Sequence, residues 1–313
     1  MSAPSLSRAT LPGAALLWRM TRPAFLTATV VAVAIGLATA QASGVALSPL
    51  RGLATLALAV LAHAAANVLN DYADAVNGAD DANAGGIAPF TGGSRLIRHG
   101  EVNVAQTRRF ALALLGACLA GGLVLAATRP GPDLWFVGAA GLGLAWAYSM
   151  PPLQLMSRRL GEASVAAAWW LVAIGADLVQ RGGFAWLPAI AAAGYALLVA
   201  DLLLVNGLPD AAGDARAGKR TLAVALGPVL TARLYAAIAL AAHAATLAGV
   251  VADRLPTSAL WALATLPIAA FAIREVARHA TDPQRLRPAI VATLVMLHLH
   301  GLLIAAALFL ARD

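Results

Sequence analysis

Nine stretches of this sequence stay apolar for long enough to cross a bilayer, and that repetition constrains the fold more than any other feature. They run over 24–41, 52–70, 105–127, 133–150, 162–180, 185–208, 222–251, 257–273 and 288–311, each bounded by Gly, Pro or charge. Backbone N–H and C=O groups find no partner in lipid, so such segments become helices that satisfy their own hydrogen bonds. Charged residues make up only 12% of the chain, against about 25% in soluble domains. The expected fold is therefore all-α: one polytopic membrane domain over 1–313, with about nine transmembrane helices bundled together. Functional loops are expected at 71–104 and 209–221. The fifth run, with Asp177 near its end, is the weakest of the nine.

A net charge of +7 raises the question of nucleic acid, but no basic run interleaved with aromatics is present, so none is expected. The cations read as topology signals. Arg51, Arg129, Arg181, Arg254 and Arg312 fall in one set of alternate loops, and the remaining 17 of the 22 Lys and Arg (22 minus 5) fall in the other. The positive-inside rule then predicts a multi-pass protein of the inner (plasma) membrane, with segment 1–22 cytoplasmic and the C-terminus outside. The first apolar run follows Arg19 and Arg22 much as a signal peptide would, yet eight further runs argue for a retained helix. Cys118, the sole cysteine, lies in an apolar run, allows no intrachain disulfide and reads as a packing residue. No feature sets an oligomeric state.

Of 15 acids, only Asp133, Asp177, Asp253 and Asp313 lie on the outer side, which leaves 11 (15 minus 4) on the cytoplasmic side. Insertion rules do not explain that bias. Two clusters stand out. Asn67, Asn70, Asp71 and Asp74 share a helical face at the end of the second run, followed by Asn77, Asp80 and Asp81. Asn206, Asp210 and Asp214 form a ladder at four-residue spacing at the end of the sixth. Four crossings separate the clusters, so both emerge on one side, in the manner of a parallel internal repeat.

Carboxylates facing one another resist ionising together unless a cation lies between them. Oxygen ligands at helix ends suit a hard ion, and magnesium binds through a few carboxylates while waters and phosphate oxygens take its other positions. Arg95, Arg98, Lys219 and Arg220 supply the cations a diphosphate needs. Solvated loop charge would account for Asp80 or Asp81 taken singly. It accounts poorly for Asp71 and Asp210, which abut apolar helix, where an acid costs about 2.5–3.5 kcal/mol at the membrane centre.

These residues resemble the UbiA superfamily of intramembrane prenyltransferases, and the run from Asn70 to Asp80 is closest to its menaquinone-type branch, that of 1,4-dihydroxy-2-naphthoate polyprenyltransferases. The resemblance extends to Arg22-Pro23, the loop Thr91-Gly92-Gly93-Ser94-Arg95, Tyr148-Ser149-Met150-Pro151-Pro152, Gly161-Glu162, and Gly218-Lys219-Arg220-Thr221-Leu222 after Asp214. It implies a bundle around a central cavity, with Mg2+ held by Asp71, Asp74, Asp80, Asp210 and Asp214 on a polyprenyl diphosphate. It also implies an aromatic acceptor, diphosphate contacts from Arg95, Lys219 and Arg220, and Tyr148 near the reacting carbon. Asn67, Asn70, Ser94, Arg158 and Asn206 complete the implied substrate-binding set; Arg22 fits either a topology charge or a phosphate contact. Gln154 stands where the family often has a basic residue, with Arg158 and Arg159 just beyond.

Rival readings remain open at this level. A terpene cyclase on the same fold would keep both clusters without an acceptor. A cation transporter would also use membrane acids, though its site usually lies near the midplane. His63, one turn before Asn67, could face the cavity but reads first as a packing histidine, and His298 and His300 read as packing or interfacial; Trp146, Trp169 and Trp170 fit cavity lining or packing equally. Arg274, Arg278, Arg285 and Arg287 read as a solvated basic surface.

Overall fold

Residues 12–311 are described by the computed structural model of the chain, and every regular element among them is helical. Arg8, Arg312 and Asp313, used above in sorting charge, lie outside the described residues, as does segment 1–11. A short helix α1 (Ala14–Met20) precedes the bundle. There follow α2 (Pro23–Ala42), α3 (Pro49–Asn77), the single turn α4 (Ala79–Ala82), α5 (Val104–Ala127), α6 (Asp133–Ala147) and α7 (Gly161–Arg181). The chain continues through α8 (Trp186–Arg216), α9 (Leu222–Val251), α10 (Leu266–His279) and α11 (Arg287–Leu310). A 3-10 stretch, Thr257–Thr265, leads into α10 and completes its crossing length.

Among the described residues eight helical segments are long and apolar enough to span a membrane, and the ninth apolar helix, α6, has 15 residues. The nine apolar runs and these nine segments match one for one. Run 133–150 stops short as a helix at Ala147 because Pro151 and Pro152 follow, and proline cannot continue the backbone ladder. Runs 52–70 and 185–208 go further than their apolar letters. Asp71 to Asn77 continue α3, and Pro209 to Arg216 continue α8, so part of each expected loop is helix.

Most of these helices are apolar all round, since packed neighbours and lipid are alike as solvents. The centre of the bundle is α8, with α2, α7 and α11 against it; α5 is peripheral and exposes Leu112, Leu119, Leu123 and Val124 on its outer face. Small residues set the approach distances. A Cβ at Gly36 on α2 would stand 2.2 Å from the carbonyl oxygen of Ala173 on α7, so that crossing requires glycine. Asp177 on α7 is fully buried but not alone: Arg181 donates to its two oxygens at 2.7 and 2.8 Å, and the Thr39 hydroxyl donates at 2.9 Å. That pairing explains how the weakest apolar run still forms a helix through its acid.

Candidate active site

The two acidic clusters meet at one end of the bundle. On α3, spacings of three and four put Asn67, Asn70 and Asp74 on the cavity wall; on α8 the four-residue ladder does the same for Asn206, Asp210 and Asp214. Lys219, in the turn between α8 and α9, joins them. Its ammonium lies 3.0 Å from Asp74 Oδ1 and 3.0 Å from Asp214 Oδ1, and it is 4% exposed. Burial by itself would lower the lysine pKa, but the two carboxylates hold it above its ordinary value.

Asp71 sits behind the cavity rather than on it, ion-paired with Arg22 at the start of α2. Arg22 also donates to Asn70 Oδ1 at 3.2 Å, and Asn70 passes the contact on by donating to Asp74 Oδ2 at 3.2 Å. Burial opposes the Arg22 charge, yet Asp71 keeps its pKa above normal. Asn67 supports the backbone instead: its amide donates to the Thr21 carbonyl at 2.9 Å and anchors the residue beside Arg22.

The loop from Asn83 to Arg95 stitches the clusters together through its backbone. The Gly92 N–H donates to Asp210 Oδ2 at 3.0 Å, and the Ser94 N–H donates to the Asp71 carboxylate at 3.3 and 3.4 Å. Gly93 lies between them at φ +68°, where a Cβ would stand 2.8 Å from Asp71 Oδ1. Asn83 is the residue that sequence reasoning passed over. Its side-chain oxygen accepts from the N–H groups of Gly85 and Gly86 in an Asx-type turn, which aims its amide at Asp210 Oδ1 at 2.7 Å. The Asn-x-Gly-Gly string was the available signal for that turn.

Asp80, on α4, lines the cavity, and its pKa rises to about 7. Burial is the main cause, with Asp74 and Asp71 adding to it against Arg22 and Lys219. Tyr148, at the end of α6, also lines the cavity. Arg95 adopts φ +58° within the loop and packs on Gly86 and Gly92, with one buried guanidinium nitrogen lacking a partner among the described residues. Arg158 and Arg220 stand apart: both are exposed, their backbones bridge each other, and Arg158 donates to the Pro152 carbonyl. His63 and Trp169 line the cavity in an edge-to-face pair 4.7 Å apart, whereas Trp146 and Trp170 do not line it.

The cavity measures about 270 Å3. It is polar where the clusters meet and apolar beyond, past Phe25, Leu144, Val165 and Leu202. Among the described residues no three His, Cys, Asp or Glu side chains converge tightly enough to enclose an ion, because the carboxylates are turned onto Lys219, Arg22 and Asn83. The donor set still fits a hard divalent ion with a phosphorylated ligand. It consists of oxygens, and among the described residues Asn206 Oδ1 and one guanidinium nitrogen each of Arg22 and Arg95 are buried without a partner.

A helical bundle whose apolar cavity ends in carboxylates and buried cations is the architecture of an enzyme that handles a lipid with an anionic head. The model of the UbiA prenyltransferase family matches residues 28–299, and the chain belongs to that family: it is a prenyltransferase, embedded in a membrane by many passes. It is 32% identical over 225 residues, 72% of each chain, to a 1,4-dihydroxy-2-naphthoate octaprenyltransferase of Mycobacterium tuberculosis. To the Escherichia coli protein of the same name it is 29% identical over 93% of this chain and 94% of the other. A UbiA homolog from Archaeoglobus fulgidus, solved bound to DMAPP and Mg2+, shares the fold with a TM-score of 0.58 at 14% identity, over 93% of this chain and 99% of that one.

Proposed function

We propose that the protein transfers a polyprenyl group from its diphosphate to a ring carbon of 1,4-dihydroxy-2-naphthoate, in menaquinone biosynthesis, at the cytoplasmic end of the bundle. The observation that carries this is Lys219 held between Asp74 and Asp214, which joins two distant acidic motifs at the polar mouth of an apolar cavity. The names of the naphthoate octaprenyltransferases to which the chain is similar support the acceptor. Asp74, Asp80, Asp210 and Asp214 line the cavity and are the oxygen donors that would hold magnesium; Asp71, expected with them, stands behind the wall on Arg22. When bound, magnesium would neutralise diphosphate oxygens and make diphosphate a better leaving group.

The chain's own residues do the rest. Arg22 and Lys219 place positive charge where the diphosphate accumulates negative charge as the allylic C–O bond breaks. The apolar wall holds the isoprenoid and excludes water from the electron-poor carbon, and Tyr148, Trp169 and Phe25 present aromatic surface to it. The acceptor ring carbon forms the new C–C bond, and its carboxylate leaves as CO2, returning the bonding electrons to the ring. The product is a demethylmenaquinol.

The test is diphosphate release from octaprenyl diphosphate and Mg2+ by the purified protein, with and without 1,4-dihydroxy-2-naphthoate and a panel of other aromatic acids. Release that depends on the naphthoate supports the reading. Donor consumed at the same rate with no acceptor would make the protein a cyclase instead.

A further inference from the structure

Among the described residues, Glu162 is the acid of the reaction cavity that belongs to neither acidic motif. It starts α7, is 8% exposed, and heads a cavity-lining face that continues through Val165, Trp169 and Val172. The carboxylates across the cavity are matched: Asp71 with Arg22, Asp74 and Asp214 with Lys219, and Asp210 with Asn83. No Lys, Arg or His stands within ion-pair distance of Glu162 among the described residues. The start of a helix favours an acid, but that preference is met equally by a side chain turned to water. Here the side chain is turned inward, and its oxygens are left for a ligand.

Its position says which part of the ligand. The cavity is polar where the clusters meet and becomes apolar past Leu144 and Val165. Tyr148 and Glu162 stand one helical turn from those two residues, so they mark the boundary. They also act on each other: Glu162 is the strongest Coulombic neighbour of the Tyr148 hydroxyl, ahead of Asp74 and Asp214. In a prenyl diphosphate, the carbon that joins the charged head to the isoprenoid falls at this boundary, and an acceptor ring must approach it there.

We propose that Glu162 is the general base for the acceptor, taking the proton of the ring hydroxyl ortho to the attacked carbon and returning it when the ring is rebuilt. The inference rests on the hydroxylated aromatic acceptor assigned above. As the allylic C–O bond breaks and the diphosphate leaves with its electron pair, the ring carbon forms the new C–C bond. The hydroxyl oxygen becomes a carbonyl, and its proton passes to Glu162. Loss of CO2 then returns a bonding pair to the ring, and the oxygen takes the proton back. Glu162 ends as it began, and no outside proton or oxidant is needed.

Glu162→Gln keeps the shape and removes the base. Its kcat/KM for the naphthoate should fall about a hundredfold, within the range of general-base catalysis, while its Kd for octaprenyl diphosphate with Mg2+ stays within about twofold of the parent's. The loss should shrink along a series of ring-fluorinated naphthoates with more acidic hydroxyls, because a readier proton needs the base less. In Glu162→Ala, added formate should restore part of the naphthoate turnover by entering the vacated space. Normal turnover by Glu162→Gln would overturn the proposal. So would a loss that is equal across the fluorinated series, or a Glu162→Ala protein that binds the donor and ignores formate. Failure of the unaltered protein to prenylate any aromatic acid would overturn the proposed function itself, and this inference with it.

Discussion

Lys219 is buried between two carboxylates that would otherwise face each other, which makes it the residue on which the joined clusters depend. Removing one partner from a buried ionic cluster costs about 3–5 kcal/mol, because the remaining charges are left uncompensated. Lys219→Gln should therefore lower the melting temperature in the absence of metal. Added Mg2+ should recover more of that loss in the variant than it adds to the parent protein. Equal Mg2+ effects in the two would mean that the carboxylates do not share a cation site. Asp80 should contribute to the pH dependence of metal use. Its pKa of about 7 in the folded protein lies above the ordinary carboxylate value, first through burial and then through Asp74 and Asp71. The stabilisation linked to its proton is complete below the unfolded carboxylate pKa and is lost as pH rises to about 7. A ligand must shed that proton before it binds metal, so the Mg2+ concentration for half-maximal activity should fall as pH rises from about 6 to about 8. Asp80→Asn should flatten the trend, and an identical slope in that variant would remove Asp80 from the metal set.

At the scale of elements, the loop from Asn83 to Arg95 and the helix α8 make contrasting cases. The loop holds Asp71 and Asp210 with backbone N–H groups on either side of Gly93. Gly93→Ala places a Cβ against Asp71 at a positive φ, so turnover should fall while the helical far-UV signal persists; normal turnover would show that the loop tolerates a shift. In α8, Asp201 is fully buried, faces away from the reaction cavity, and has no hydrogen-bond partner for either oxygen among the described residues. An unsatisfied buried group costs about 1–3 kcal/mol, so Asp201→Val should raise the melting temperature with prenyl transfer intact. Lost transfer at full stability would mean that Asp201 serves the reaction. The helices were legible in the sequence to within a few residues because lipid leaves the backbone no other solution. The ends of α3 and α8 were less so. Polar letters there suggested loops, while in the fold Asn70, Asp74 and Lys219 support one another along the last turns. The carboxylates were legible because acids are costly beside apolar helix. The Gly92 and Ser94 donors were not, since a backbone N–H has no letter of its own. Nor does sequence show that Arg158 and Arg220 turn outward while Arg22 and Lys219 turn in.

At the scale of the whole molecule, the charge bias and the site make one joint statement about orientation. Both acidic motifs lie at the end of the bundle reached by the α10–α11 turn, where Gln284 donates to the Gly85 carbonyl at 2.6 Å. Asp253, beyond α9, marks the opposite end. The diphosphate and the naphthoate proposed above as substrates are both anionic and water-borne at their heads, so that proposal requires the polar mouth to open to the compartment that supplies them. The positive-inside rule assigns that same end to the cytoplasm, and the two arguments are independent. Cys118 is buried and is the sole cysteine, so Cys118→Ala gives a background for single reporters. In intact cells a membrane-impermeant maleimide should label Asp253→Cys on that background and leave Gln284→Cys unmodified until the membrane is opened. The reverse pattern would put the acids outside, and the site would then face a compartment with no supply of prenyl diphosphate.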